Sequence, residues 1–243
     1  MSDGITAKRP LNLGHRGACS LAPENTLAAF AKAREVGADG VEFDVQLSAD
    51  GELVIIHDHT LERTTGGSGA VAAHTLAELK RLDAGRRFGA QFAGERIPTL
   101  QEVIDLLGDP MFLNIELKAG YGQAEALPAR VVECVRRNGC QARVLLSSFE
   151  FDALRRVRAI APELAIGVLY SSPPDPAQVA ALHPEALHPA WKLAGKELIS
   201  SAHAAGRQVN VWTVNAEADM RSQIALGVDA IITNYPQLLA AMM

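Results

Sequence analysis

Residues 11–45, LNLGHRGACSLAPENTLAAFAKAREVGADGVEFDV, decide the fold, because they read as a short strand, an amphipathic helix and a second strand. Between the two apolar runs, Leu27 and Phe30 recur at helical spacing, Glu24 stands at the N-terminal end of the pattern, and Gly37 ends it. Two strands joined through a helix lie parallel in one sheet, so this unit predicts a parallel α/β architecture.

The same alternation of strand and helix continues along nearly the whole chain. Strands are predicted at 11–14, 40–45, 112–117, 143–147, 165–170, 186–188, 209–213 and 229–233. Helices are predicted at 24–36, 99–107, 124–138, 150–160, 175–181, 195–205, 216–226 and 236–242. Successive βα units of this number in 243 residues predict a closed (β/α)8 TIM barrel that forms one domain over residues 1–243.

The composition is that of an ordinary globular protein, with 48% hydrophobic and 21% charged residues. The net charge is −5, from 23 basic and 28 acidic residues, and this lack of a basic excess argues against a nucleic-acid partner. Composition alone does not decide between a monomer and a homodimer.

The cysteines and the N-terminal residues bear on the compartment. Cys19, Cys134 and Cys140 are odd in number and form no C-x-x-C pair, which argues against a disulfide framework or a zinc ribbon. The first ten residues lack the apolar run of a signal peptide, and no stretch approaches the about 18 apolar residues that span a bilayer. We therefore expect a cytoplasmic protein without stable membrane association.

One segment, residues 47–98, interrupts the alternation by separating the second strand from its helix. An insertion after a barrel strand lies over the C-terminal face, where barrel enzymes build their active sites. Its Asp50-Gly51 pair is a strong hairpin signal, and a two-residue turn centred there predicts that His57 lies directly opposite Asp44. Glu42, two residues before Asp44, shares the same face of the strand.

Polar, charged and aromatic side chains stand at the C-terminal ends of the predicted strands, where parallel barrel strands normally continue as Val, Ile and Leu. They are His15, Arg16, Glu42, Asp44, Glu116, Lys118, His188, Trp212, Thr233 and Asn234. Three carboxylates, Glu42, Asp44 and Glu116, buried at one rim repel one another unless a cation lies among them. Oxygen ligands of this kind suit Mg²⁺, Ca²⁺ or Mn²⁺ and not zinc.

A structural interpretation competes with the functional one at each of these positions. Taken singly, Glu116–Lys118 and Glu42–Arg16 read as barrel ion pairs, whereas the convergence of three carboxylates, two cations and two histidines favours a site. Trp212 reads equally as core wall and as ligand platform. We expect a flexible turn at residues 64–69 and surface or loop positions for His59, His74, His183 and His203.

Two histidines and two cations complete the candidate site, and phosphate chemistry requires side chains of these kinds. His15 and His57 can act as a base and an acid, one activating a nucleophile and the other protonating a leaving oxygen. Arg16 and Lys118 supply cations for phosphate oxygens, and arginine offers a bidentate fork. Together with a metal that neutralises charge on the phosphoryl group, these residues predict metal-assisted phosphodiester cleavage.

Several motifs follow one another in a fixed order. They are His15-Arg16-Gly17, Pro23-Glu24-Asn25-Thr26, Glu42-Phe43-Asp44-Val45, Asp50-Gly51 with His57-Asp58, Glu116-Leu117-Lys118, Val211-Trp212-Thr213-Val214-Asn215 and Gly227-Val228-Asp229-Ala230-Ile231-Ile232-Thr233. This set, which covers the chain from Asn12 to about Pro236, resembles the glycerophosphodiester phosphodiesterases of the cytoplasmic bacterial type. A single H-R-G tripeptide is a weak signal, but the ordered set is specific.

The resemblance implies a metal-dependent TIM barrel that hydrolyses glycerophosphodiesters, which are small-molecule substrates, to sn-glycerol 3-phosphate and an alcohol. It assigns general acid/base catalysis to His15 and His57, metal binding to Glu42, Asp44 and Glu116, phosphate contact to Arg16 and Lys118, and the border of the glycerol pocket to Trp212. The insertion at 47–98 corresponds to the small insertion domain of the family. One departure is Asn234, where relatives often carry an acidic residue.

Three alternatives remain at this point. A phospholipase C- or D-like relative acting on a lipid predicts an apolar or basic collar on the rim. A catalytically silent phosphodiester-binding barrel predicts loss of a histidine or a metal-binding carboxylate. An aldolase- or enolase-like barrel predicts a lowered pKa for Lys118. The sequence leaves open the alcohol (choline, ethanolamine, glycerol or inositol), the metal, and whether attack by water or a cyclic phosphate is used.

Overall fold

Short parallel strands alternate with helices in the computed structural model, which describes residues 9–120 and 122–243. The strands are β1 (Leu11–His15), β2 (Gly40–Leu47), β3 (Leu53–Ile55), β4 (Phe112–Leu117), β5 (Val144–Ser148), β6 (Ala165–Tyr170), β7 (Ala186–Pro189), β8 (Gln208–Val211) and β9 (Ala230–Thr233). The helices are α1 (Leu27–Glu35), α2 (Leu76–Leu79), α3 (Leu100–Leu107), α4 (Ala126–Arg137), α5 (Phe151–Ile160), α6 (Pro176–Leu182), α7 (Lys196–Ala204), α8 (Glu217–Leu226) and α9 (Pro236–Ala240). The first eight residues, where we expected no signal peptide, lie outside the described range.

The parallel strands close into a ring, which confirms the predicted (β/α)8 barrel. They pair in the order β1-β9-β8-β7-β6-β5-β4-β2, and a further pairing of β1 with β2 completes the circle. Strand β3 is antiparallel to β2 and pairs with the last residues of β2, Val45 to Leu47. It lies on the same edge of β2 as β1, which pairs with the first residues of β2. The hairpin therefore returns the chain above the end of β1, at the C-terminal rim.

The predicted register of this hairpin is wrong by one residue. Leu47 pairs with Leu53 and Val45 with Ile55, so the residue opposite Asp44 is Ile56 and not His57. The loop has three residues between Ser48 and Glu52, with Gly51 in the left-handed region at φ 80°, instead of two. A three-residue loop ending in a left-handed glycine is a common hairpin connection that the Asp-Gly pair fits equally well.

His57 nevertheless reaches the barrel mouth, because the chain leaves the strand geometry after Ile55 and bends. Gln46, which is 1% exposed, fixes this bend: its amide nitrogen donates to the carbonyl oxygens of Ile56 and Asp58 at 2.9 and 2.8 Å. Its amide oxygen accepts a hydrogen bond from His59 Nδ1 at 3.0 Å. A side chain of β2 thus positions the segment that carries His57.

Two predicted boundaries differ from the structure in ways that matter for the site. Helix α1 begins at Leu27 with Thr26 as its N-cap, so Glu24 precedes the helix and its side chain is available elsewhere. Strand β8 ends at Val211, so Trp212 follows the strand and forms a single bridge with Ala190. Helix α3 begins with a capping box, in which the Thr99 side chain accepts a hydrogen bond from the backbone N–H of Glu102.

The insertion has a small apolar core of its own. It is built from Val54, Ile56, Leu61, Val71, Leu79, Ala84 and Ile97. This cluster holds the insertion together beside the barrel mouth, because burial of apolar area is the main source of stability for a folded segment. Within the described parts of the chain, none of the helices combines the length and apolar character needed to cross a membrane.

Replacement of Gln46 by leucine tests the role of this side chain. We expect Gln46→Leu to lower the free energy of unfolding by about 1–3 kcal/mol, because it leaves buried carbonyl oxygens unpaired. Urea denaturation measures this, with Gln178→Leu on the exposed face of α6 as the control, expected to change stability by less than about 0.5 kcal/mol. Equal stability of the two variants would show that the bend does not depend on Gln46.

Candidate active site

The predicted site residues meet at a cavity of about 60 Å³ at the C-terminal mouth of the barrel. Its walls are His15, Arg16, Glu42, His57, Glu116, Lys118, Phe149, Leu169, Trp212 and Ile232. Of the eight residues to which the resemblance assigns a role, only Asp44 is absent from these walls, and it is buried against Arg16 and Lys118. The structure therefore brings together side chains that lie almost 200 residues apart in the chain, from His15 to Trp212.

Three carboxylates form the floor of this region. Glu42 and Asp44 share one face of β2, and the parallel pairing of β2 with β4 places Glu116 beside Asp44. All three are buried, and one oxygen from each lies within 4.8 Å of the others. Three clustered oxygen ligands of this kind fit a hard divalent cation, which would coordinate each of them.

The charges around the carboxylates are only partly balanced. Lys118 Nζ lies 3.2 Å from Asp44 Oδ1 and 2.6 Å from Glu116 Oε1, and Arg16 Nε lies 3.5 Å from Asp44 Oδ2. Burial disfavours the Asp44 carboxylate, but these two cations outweigh it and lower the pKa of Asp44 below its ordinary value. Burial and the neighbouring Asp44 raise the pKa of Glu116 to about 7, and burial with both neighbours raises the pKa of Glu42 well above its usual range.

These shifts describe a site with an excess of acidic groups. The raised pKa values of Glu42 and Glu116 favour the protonated forms of these two groups unless further positive charge is supplied. A divalent cation bound among them would favour the ionised forms of Glu42 and Glu116 and displace their protons. The donor set and its electrostatics are therefore consistent with the predicted metal centre.

The turn after β1 aims Arg16 into the site. Arg16 adopts the left-handed region at φ 55°, its backbone N–H donates to the carbonyl oxygen of Glu42 at 2.7 Å, and Gly17 follows at φ 82°. A side chain at Gly17 would collide with the backbone of Ala29 in α1 at 2.7 Å, so glycine is required there. The Arg16 guanidinium contacts the carboxylate of Glu24 at 2.8 Å. The ion-pair interpretation of the sequence had paired it with the side chain of Glu42 instead.

The two histidines have different hydrogen-bond partners. His15 Nδ1 lies 2.6 Å from Asn234 Oδ1, so it donates its proton there and leaves Nε2 as the acceptor nitrogen. Burial and the nearby Arg16 lower the pKa of His15 to about 4. His57 Nδ1 donates instead to the carboxylate of Asp58 at 2.7 Å. Burial lowers the pKa of His57 below its ordinary value, and the nearby Asp44 and, less strongly, the hydrogen bond to Asp58 oppose this shift.

A chain of charged groups joins the insertion to the loop after β1. Arg63 contacts Asp58 through Nε and Glu24 through both terminal nitrogens at 2.7 Å, and Glu24 binds Arg16. The path therefore runs from His57 through Asp58, Arg63 and Glu24 to Arg16. Sequence reasoning missed these three connecting residues as a unit, although Glu24 and Asp58 stood within the quoted motifs.

An aromatic pair forms the opposite wall of the cavity. Trp212 and Phe149 meet edge to face with ring centroids 5.4 Å apart, and Trp212 Nε1 donates to the carbonyl oxygen of His188 at 2.8 Å. His188 itself is fully buried inside the barrel, where its Nε2 accepts from Asn210 at 3.0 Å and burial lowers its pKa to about 3. It therefore supports the wall from below and does not line the cavity.

Comparison with known proteins identifies the family. Residues 15–238 match the glycerophosphoryl diester phosphodiesterase family. A glycerophosphodiester phosphodiesterase of Caldanaerobacter subterraneus is 45% identical over 95% of this chain and 96% of its own, and one of Bacillus altitudinis is 37% identical over 91% and 93%. A phosphodiesterase of Oleispira antarctica, solved in complex with the product sn-glycerol-3-phosphate, superimposes with a TM-score of 0.91 at 38% identity, over 97% of this chain and 98% of that one.

The matches extend over almost the whole chain and agree with the ordered motifs, the barrel and the prediction that the protein is an enzyme. On these findings, the chain belongs to the glycerophosphoryl diester phosphodiesterase family.

Proposed function

We propose that this chain hydrolyses glycerophosphodiesters to sn-glycerol 3-phosphate and an alcohol, in a reaction that depends on a divalent metal ion. The observation that supports this most strongly is the convergence of three buried carboxylates, two cations and two differently paired histidines on one cavity. The relative from Oleispira antarctica binds sn-glycerol-3-phosphate as its product, and we extend that product to this chain.

In this proposal, Arg16 and Lys118 bind the phosphate of the substrate. Both guanidinium and ammonium groups border the cavity, and both are fixed by carboxylates, which limits the entropy lost on binding. Glu42, Asp44 and Glu116 would bind Mg²⁺, Ca²⁺ or Mn²⁺, which supplies charge neutralisation at the phosphoryl oxygens. Trp212 and Phe149 would contact the carbon atoms of glycerol.

The histidine partners suggest a division of roles. His15 is paired with a neutral amide and keeps Nε2 unprotonated, so it would accept the proton of the attacking hydroxyl. His57 is paired with a carboxylate that stabilises its protonated form, so it would donate a proton to the leaving alcohol oxygen. This assignment applies equally to attack by water and to attack by a glycerol hydroxyl.

The structure weighs against two of the alternatives. Burial disfavours the Lys118 ammonium, but Asp44 and Glu116 outweigh it and raise its pKa, so Lys118 does not suit the proton-abstracting role of an aldolase-like barrel. The silent-barrel alternative predicts loss of a histidine or a metal-binding carboxylate, and all of these residues are present and clustered.

The lipid-directed alternative predicts a collar on the rim. Exposed large apolar side chains do occur in the rim segments, at Leu21, Phe88, Phe149 and Tyr235. Phe88 and Phe149 each pack against another aromatic ring, of Phe92 and Trp212, so they act as walls. We therefore propose deacylated diesters as substrates.

The first test combines activity with metal binding. We expect release of glycerol 3-phosphate from glycerophosphocholine with Mg²⁺ or Ca²⁺ and none with excess EDTA. Glu42→Gln should shift the metal titration of activity to higher concentration and reduce the rise in Tm that metal causes in the wild-type protein. Metal affinity should also increase as the pH rises through about 7, where Glu116 loses its proton.

Glu133→Gln, on the exposed side of α4, is the control and should behave as wild type. Identical metal titrations for Glu42→Gln and the wild-type protein would exclude Glu42 as a ligand. Release that persists in EDTA would contradict the metal dependence.

Removal of either histidine tests the acid/base pair. We expect His15→Ala and His57→Ala each to lower kcat by about 10²–10⁴-fold, because each loses one proton transfer, while the circular dichroism spectrum is unchanged. His74→Ala, whose ring Nδ1 hydrogen-bonds the carbonyl oxygen of Ala70 in the insertion at 2.9 Å, should retain wild-type turnover. Near-normal kcat in either of the first two variants would remove that histidine from the mechanism.

The pH profile tests the role of Asp58. Asp58→Asn keeps a hydrogen-bond acceptor for His57 Nδ1 but removes the negative charge, so the pKa of His57 should fall. Because His57 is active in its protonated form in this proposal, the alkaline limb of kcat/KM should move to lower pH. Asp152→Asn on α5 serves as the control. An unmoved alkaline limb in Asp58→Asn would assign that limb to another group.

A further inference from the structure

A second cleft, with a volume of about 340 Å³, lies next to the reaction cavity. Its walls come from the loop after β1, from the insertion and from the end of β9, and include Glu24, Arg63, Arg87, Phe88 and Asn234. We call it the Arg87 cleft. Its size is in the range of pockets that bind small molecules, whereas the reaction cavity measures only about 60 Å³.

The Arg87 cleft adjoins the catalytic groups directly. Asn234, in its wall, accepts the hydrogen bond of His15, and Glu24, also in its wall, binds Arg16. A smaller depression is lined by His57 together with Glu24, Thr64 and Ala84. The last three of these residues also line the Arg87 cleft. A group leaving the phosphate on the side of His57 would therefore enter the Arg87 cleft.

The charge of the cleft is positive. The Arg63 guanidinium is neutralised by Glu24 and Asp58, whereas the Arg87 side chain makes no ion pair or hydrogen bond with any residue in 9–120 or 122–243. Burial and the nearby Glu24 raise the pKa of Cys19 to about 12, so this thiol adds no negative charge at neutral pH. An unneutralised guanidinium at the wall favours an anion and disfavours a cation such as choline.

Phe88 provides a face for carbon atoms. Its ring is 43% exposed and is oriented by an edge-to-face contact with Phe92, with centroids 5.4 Å apart. The ring of a polyol can pack on such a face while its hydroxyl groups reach Glu24, Thr64 and Asn234.

We propose that the Arg87 cleft binds the alcohol moiety of the substrate and selects alcohols that carry an anionic group, such as a phosphorylated polyol. This inference rests on the proposed function and adds a preference among its substrates. Arg87 is the specificity-determining residue in it, through charge, and takes no part in bond cleavage.

The test compares two substrates that differ by one phosphate group. Glycerophosphoinositol and glycerophosphoinositol 4-phosphate both yield glycerol 3-phosphate, whose release gives kcat/KM for each. We expect the wild-type enzyme to favour the phosphorylated substrate, and Arg87→Gln to reduce the ratio of the two kcat/KM values by about tenfold, the effect of losing one charged hydrogen bond. Arg87→Lys should retain most of the wild-type ratio of the two kcat/KM values, because it keeps the positive charge.

The neighbouring Arg86 supplies a matched control. It lies outside the cleft, is 76% exposed and has its Nε 3.5 Å from Asp83 Oδ2, so Arg86→Gln should leave both kcat/KM values unchanged. A wild-type preference for glycerophosphocholine over the phosphorylated substrate, or an equal ratio in Arg87→Gln and wild type, would overturn this inference alone. Release of glycerol 3-phosphate from none of these diesters would overturn the proposed function and this inference with it.

Discussion

The structure depends on the balance of charge around three carboxylates buried at the barrel mouth. Removing ionised groups from water is costly unless each is paired, and here two cations, Arg16 and Lys118, serve three acids. The pKa of Asp44 is lowered while those of Glu42 and Glu116 are raised, so the imbalance is distributed unevenly. Such an arrangement is what we expect of the proposed metal site, because a bound cation would offset the repulsion among the three acids.

The hairpin on β2 converts this charged floor into a site with two histidines. Strand β3 continues along the edge of β2 where the pairing with β1 ends, so the segment after β3 lies above the end of β1. His57 therefore lines the same cavity as His15. The two imidazoles then differ in their partners, a neutral amide for one and a carboxylate for the other. Backbone topology brings the pair together, and hydrogen bonding distinguishes them.

The barrel and the charged residues of the cavity follow from the sequence because strand–helix periodicity and charged strand ends are local signals, whereas the apolar wall residues Phe149, Leu169 and Ile232 carry no such signal. The hairpin register does not, since Asp50-Gly51 fits both a two-residue and a three-residue loop, and one residue decides which way a strand faces. Glu24 fits the helical spacing and was predicted to begin α1. In the structure Thr26 is the N-cap, so Glu24 precedes the helix and its side chain binds Arg16 and Arg63. The Asp58–Arg63–Glu24 link depends on how the insertion folds back, which no local pattern encodes.

The insertion adjoins the barrel mouth at two separate places. Through Asp58 and Arg63 it is tied to Glu24 and Arg16, so its inner edge is coupled to the groups that act on the phosphate. Arg87 and Phe88 of the insertion line the second cleft and do not line the reaction cavity. In the proposed function, bond cleavage is therefore confined to the strand ends and their hydrogen-bonded partners, while the choice of alcohol would rest with exposed loop residues, which can change without cost to the core.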